Sequence, residues 1–198
     1  GTADQTKVSV SGGTFSKKVP KSQCAEGFTS KANEDGTYSI VPKSVIAKIG
    51  DTEYKDLDKA LLAAAASTGD VTVDIIADID LGGEEWPDIS VNAGKTPVGT
   101  VTVNGNGHSI KGLTAPLFAG TWAGKSGLVI KDLTITESAI VKDEDDSKGN
   151  IGVGAFIGYP SASPVITLSN CHLTNSSVKG GHWTGGLIGI SGGYGGSD

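Results

Sequence analysis

The chain has 198 residues, 30 of them glycine, and a formal net charge of −6 in which every lasting positive charge is a lysine. An acidic surface repels the phosphate backbone, and without arginine the main bidentate phosphate ligand is missing, so nucleic acid is excluded as a partner. No apolar run reaches 18 residues, which excludes membrane insertion by a helix, and abundant glycine with few aromatics suits tight corners better than a thick core.

Residues 1–45 read as a small β module. Lys7-Val8-Ser9-Val10 alternates, Ser11-Gly12-Gly13 turns the chain, and Asn33-Glu34-Asp35-Gly36 is a hairpin turn before Thr37-Tyr38-Ser39-Ile40-Val41. The opening Gly-Thr-Ala-Asp, with no methionine in the chain, reads as a mature or excised segment. Beyond residue 45 the pattern changes. Ile46 to Gly50 is a short strand, and 54–67 is the one convincing helix, with Leu57, Ala60, Leu61 and Ala64 at i, i+3, i+4 and i+7. Asp56 stands at its N-cap and Gly69 at its stop, so the helix is placed to cover the open end of the strands beyond it.

From Val71 to Leu81 the chain alternates, with Val71, Val73, Ile75, Ala77, Ile79 and Leu81 on one face and Asp74, Asp78 and Asp80 on the other. A loop with Trp86 comes next, then Thr100 to Ile110 and Leu117-Phe118-Ala119-Gly120. The next stretch repeats itself. Ile130 to Ile140 matches Leu168 to Val178 at an offset of 38, apolar on apolar at 130/168, 133/171, 135/173 and 140/178. Gly154-Ala155-Phe156-Ile157-Gly158 matches Gly185-Gly186-Leu187-Ile188-Gly189 at an offset of 31, and the acidic insertion 142–148 supplies the difference. A short repeat of β-branched strands between turn formers cannot bury its apolar side alone and must stack on its neighbours. The fold class expected is mainly β: a right-handed parallel β-helix, a β-solenoid of about four coils, over 46–198 with its N-terminal capping helix. More coils of the same parent chain are expected beyond residue 198, since an uncapped solenoid edge invites aggregation.

Val103-Asn104-Gly105-Asn106-Gly107-His108-Ser109-Ile110 resembles the opening coil of pectate-lyase-like β-helix proteins. Ala47 to Tyr54, the helix and Gly69 to Val73 resemble the cap that precedes such a coil. Val10 to Ser16, Cys24 to Phe28 and Asn33 to Tyr38 resemble a module found between β-helices of large bacterial cell-surface proteins. The resemblance covers most of the chain. It implies an extracellular, adhesin-like part of a bacterial surface protein, and it specifies fold better than activity, because this fold hosts lyases, hydrolases and adhesins alike.

The candidate sites are of three kinds. Asp74, Asp78 and Asp80, at about 3.3 Å rise per residue, line one strand face, and Asp143 and Asp145 stand in the insertion. These carboxylates are the candidate metal ligands, with calcium as the ion, against the plainer reading of a solvated face and a solvated loop. Trp86, Trp122, Trp183 and Tyr159 lie near coil corners, where they either stack on sugars or cover the ends of the core. His108 falls by register among inward positions and reads as a packed core residue, and Cys171, opposite Leu133, as a buried thiol, with a Cys24–Cys171 disulfide as the alternative. No catalytic set is assigned. Enzymes of this fold act on anionic sugars with a basic residue, commonly arginine, beside paired acids, and arginine is missing here. The expected role is a non-catalytic structural or adhesive module presenting a face to host or dietary glycan or to a surface protein. The alternative is a fragment of a polysaccharide lyase or glycoside hydrolase, with Asp74, Asp78, Asp80 and His108 converging in a groove.

Overall fold

The computed structural model describes residues 8–91, 99–121, 127–141, 152–160, 165–180 and 183–189. The chain divides into two compact units, 1–44 and 45–198.

In the first unit β1 (Thr14–Phe15), β2 (Phe28–Ala32) and β3 (Tyr38–Pro42) form an antiparallel sheet in the order β1-β3-β2. The turn between β2 and β3 is held by Asp35, whose carboxylate accepts hydrogen bonds from the Thr37 hydroxyl at 2.6 Å and the Thr37 backbone N–H at 2.9 Å. Those bonds, the hydroxyl's first, hold its carboxyl below the usual aspartate range. At the start of the unit Val10 makes a single parallel bridge to Cys24.

The second unit opens with β4 (Ala47–Ile49) and β5 (Thr52–Tyr54), an antiparallel hairpin, and α1 (Leu57–Ala66). The helix buries the four residues its spacing predicts, Leu57, Ala60, Leu61 and Ala64. It is shorter than expected at both ends. Tyr54 pairs across the hairpin with Ala47, and the last turn closes at Ser67, in extended backbone, two residues before Gly69.

The remaining strands fall into four successive segments. The first holds β6 (Val71–Ile75), β7 (Ile79–Asp80) and β8 (Ser90–Val91); the second β9 (Thr100–Asn104), β10 (Ser109–Lys111) and β11 (Phe118–Thr121). The third holds β12 (Gly127–Thr136), β13 (Ala139–Val141), β14 (Gly152–Val153) and β15 (Ile157–Pro160); the fourth β16 (Val165–Thr174), β17 (Ser177–Lys179) and β18 (Trp183–Thr184). Like pairs with like, and every such pair is parallel. β6, β9, β12 and β16 make one ladder, and β7, β10 and the far halves of β12 and β16 a second. β8, β11 and β15 make a third, which Ile188 extends by a bridge to Ile157, and β13 pairs β17 as β14 pairs β18. The sheets are mixed only where β4 runs antiparallel to both β5 and β6.

The four apolar matches at an offset of 38 are all register partners, and Val153–Thr184 and Ile157–Ile188 keep the offset of 31. The partners form apolar columns such as Val73–Val103–Ile130–Leu168 and Ile79–Ile110–Ile135–Leu173. Each fully buried member contributes about 1.5–3 kcal/mol. One strand serves two ladders because it bends: Asp132 and Asn170 adopt left-handed φ of 52° and 50° in the middle of β12 and β16. Asn and Asp tolerate that region better than most residues. The Asn170 side-chain amide donates to Asp132 Oδ1 at 2.8 Å, tying one bend to the next. A second bend follows at Glu137 and Asn175, φ 44° and 48°.

The run 71–81 keeps the expected alternation, with Val73, Ile75 and Ile79 buried and Ile76, Asp78 and Asp80 exposed, but it is not one strand. It breaks into β6 and β7, with 76–78 outside both. The Ile76 N–H donates to Ile46 O, and the Asn106 amide donates to Ile75 O, so the backbone at the break is satisfied by neighbouring segments rather than by its own ladder.

Candidate functional site

The break in that run separates the three acids. Asp74, on β6, accepts from the Asn104 side-chain amide at 2.9 Å, an in-register contact between segments. Asp78, in the turn, accepts at one oxygen from the Ser109 backbone N–H at 2.8 Å and the Ser109 hydroxyl at 3.2 Å. His108 Nδ1 stands 3.4 Å from the same oxygen. Asp80, on β7, accepts from the Gly82 N–H at 2.8 Å, closing a local turn. So the side chains that the sequence aligned on one face do three different jobs, each capping backbone or joining one segment to the next. The Ser109 N–H, ahead of the Ser109 hydroxyl and His108, holds the Asp78 carboxyl below the ordinary aspartate range. Among the described residues no three of His, Cys, Asp and Glu gather as a metal site would require. Asp143 and Asp145 lie outside the described residues.

His108 departs from its expected place in the core. Its side chain is 33% exposed and turned toward Asp78, because the chain before it passes through left-handed φ at Asn106 and Gly107. The pair His108–Asp78 is the part of the proposed enzyme groove that does come together. Cys171 lies partly buried over the interior, its thiol 3.3 Å from Ile130 O; burial pushes that thiol up, and both cysteines are free.

The four aromatic candidates also divide. Trp86 is buried, 7% exposed, and its indole N–H donates to Leu117 O at 3.3 Å. A ring so enclosed has no face left for a sugar, and its role is the plainer one, covering the end of the core. Trp122 lies outside the described residues. Tyr159 and Trp183 meet. Tyr159 is on β15 and Trp183 opens β18; their ring centroids are 6.3 Å apart with planes inclined by 33°. Both are half-buried. Backbone packing sets the spacing: Trp183 is the register partner of Gly152, and a Cβ on Gly152 would run into Gly158 O. Only glycine lets the two strands come that close. The signal for this pair was present in the sequence as a pattern, since Gly152 and Trp183 keep the offset of 31, but nothing in the pattern brings Tyr159 to the same spot.

The outward positions are polar ladders. Thr72, Thr102 and Thr167 flank Val129 in one row; Asp80, Lys111, Thr136 and Thr174 make another. In the second row Thr174 Oγ1 donates to Thr136 Oγ1 at 3.0 Å, and Lys111 Nζ lies 2.7 Å from Glu137, which raises the lysine's pKa.

No helix of the described residues is long and apolar enough to cross a membrane. No family model, curated protein or solved structure matches this chain.

Proposed function

We propose that residues 46–198 form a right-handed parallel β-helix that acts as a non-catalytic display module, holding a binding face for glycan or a surface protein. The observation that carries this reading is the in-register parallel pairing of four successive segments, whose matched outward positions are polar in every row but for Val129 among the threonines. The right hand is the one that parallel crossovers adopt almost without exception. A stiff array of this kind repeats its contacts along one direction, which suits a repetitive ligand such as a polysaccharide. Tyr159 and Trp183 supply the apolar surface on which a pyranose ring stacks. The carboxylates of the enzyme alternative favour the non-catalytic reading: Asp74, Asp78 and Asp80 each cap a neighbouring segment or turn. Location outside the cell, on a bacterial surface, belongs to the same proposal and rests on the sequence resemblance.

A glycan array followed by titration calorimetry tests it. Trp183→Ala and Tyr159→Ala should each lower affinity for the bound glycan about 10- to 100-fold, the range for losing one stacked ring at about 1.4 kcal/mol per decade. Binding unchanged in both variants, or release of reducing sugar from the bound polymer, would remove this reading.

A further inference from the structure

The pair Asn-Gly occurs twice in this chain, back to back, at 104–105 and 106–107. Asparagine is thermolabile, and most so before glycine, which has no side chain to hinder its nitrogen from closing on the asparagine Cγ. Both pairs are held by the segments on either side. The Asn104 side-chain amide donates to Asp74 Oδ1 at 2.9 Å in the first segment, and the Gly105 N–H donates to Lys131 O at 2.8 Å in the third. Asn106 and Gly107 repeat the arrangement. The Asn106 side-chain amide donates to Ile75 O at 2.9 Å, and the Gly107 N–H donates to Asp132 O at 2.8 Å. In each pair the electrophilic carbon is drawn toward one neighbouring segment and the nitrogen that would attack it toward the other.

The surroundings of the two pairs differ. Gly105 is buried, and a Cβ there would run into the Asp132 backbone, so freeing its N–H means parting the second segment from the third. Asn106 and Gly107 are exposed, with φ 52° and 82° and open space around Gly107, so a local opening of this bend is enough.

We propose that Asn106 is a site of spontaneous deamidation, gated by its contacts with the first and third segments, and that the product loosens the stack where it forms. When the bend opens, the Gly107 nitrogen gives its proton to water or hydroxide and bonds to Asn106 Cγ; the Cγ–Nδ2 bond breaks and ammonia leaves. Water then opens the cyclic imide at either carbonyl, leaving aspartate, or isoaspartate with the backbone rerouted through the side chain. The amide that donated to Ile75 O has become a carboxylate, which has no proton to donate. The segment it meets already carries Asp74 and Asp78, so the bend does not close as before and the change runs one way. The inference rests on the hydrogen bonds of this bend and is independent of the glycan reading.

The 198-residue chain is held in mildly alkaline buffer, folded or in unfolding guanidinium chloride, and deamidation at each asparagine is followed by peptide mapping with mass spectrometry. Unfolded, Asn104 and Asn106 should react at similar rates. Folded, Asn106 should react at least about tenfold more slowly than unfolded, and Asn104 at least about tenfold more slowly again, because each reacts only in its open fraction. Asn106→Asp makes one product directly and keeps a residue type that tolerates left-handed φ; it should lower the folding constant about tenfold, read from the denaturant midpoint. The rates in the unsubstituted chain stand whether or not that variant folds. Equal rates at the two sites in the folded chain, an Asn106 that is inert when folded or reacts as fast as when unfolded, or an Asn106→Asp chain as stable as the parent would overturn the proposal.

Discussion

Ser138 is the one buried polar side chain among the described residues, 4% exposed, and replacing it with alanine tests the stacking directly. Its hydroxyl accepts from the Leu113 backbone N–H at 2.9 Å and donates to Thr136 O at 2.8 Å, so one oxygen joins the second segment to the third. One segment on, Ser176 repeats the arrangement: its hydroxyl accepts from the Ser138 N–H at 3.0 Å and donates to Thr174 O at 2.7 Å. Leu113 is fully buried, so in Ser138→Ala its N–H loses its acceptor where water does not reach. A buried unsatisfied donor costs about 1–3 kcal/mol, and losing the bond to Thr136 O adds a fraction of that, so we expect a loss of about 2–3 kcal/mol. Ser176 is half-buried, water can replace its hydroxyl, and Ser176→Ala should cost about 0.5–1 kcal/mol. Urea unfolding followed by tryptophan fluorescence reads the second unit alone, because Trp86, Trp122 and Trp183 all lie beyond residue 45. The slope with urea should be unchanged and the midpoint lowered. In a thermal scan the same loss is about 4–12 °C for a unit of this size. Ser138→Ala within about 0.5 kcal/mol of the parent, or Ser176→Ala the costlier of the two, would show that the hydroxyl column is not what registers these segments.

Two further outcomes rest on named contacts. A Cβ at Gly105 would meet Asp132 O and C in the next segment, where the Gly105 N–H also donates to Lys131 O at 2.8 Å. Gly105→Ala should therefore cost about 2–4 kcal/mol, overpacking plus a weakened backbone bond. Gly107, φ +82° with open space around it, should cost only the left-handed penalty of about 1–2 kcal/mol, and equal losses in the two urea midpoints would contradict this. The lowered carboxyl of Asp78 stabilises the folded chain when ionised, so its contribution is complete above the ordinary aspartate value of about 3.9 and is lost as pH falls through the lower folded value. Asp78→Asn should then differ from the parent by less than about 1 kcal/mol at neutral pH, since the side chain is 74% exposed, and the difference should shrink below about pH 4. A difference that persists or grows in acid would show that the charge on Asp78 does nothing for Ser109.

The column of layers was legible in the sequence because stacked parallel strands repeat their environment. An interior position in one segment is interior in the next, so Leu133 and Cys171, Ile135 and Leu173, and Ile140 and Val178 could be paired by offset alone. The helix face was legible for the same reason, a period that burial imposes. What failed was wherever the chain turns. Alternation of side chains says nothing about a bend at Asp132 or a break at 76–78, since both depend on partners about 25–40 residues away: Asn170 for the one, Ile46 and Asn106 for the other. That is why Asp74, Asp78 and Asp80, outward-facing as the alternation predicts, fall on separate elements and make separate contacts, and why His108 lies beside Asp78 rather than in the core.

The sequence by itself determined the mainly β composition, the repeat and which residues lie over which, because those are consequences of burying one side of each strand. Tertiary structure alone decided that Trp86 is enclosed while Tyr159 and Trp183 meet, because aromatic rings are placed by strands approaching one another, β14 and β15 at Gly152 and Gly158 and β14 and β18 from one segment to the next, and no local pattern records that approach.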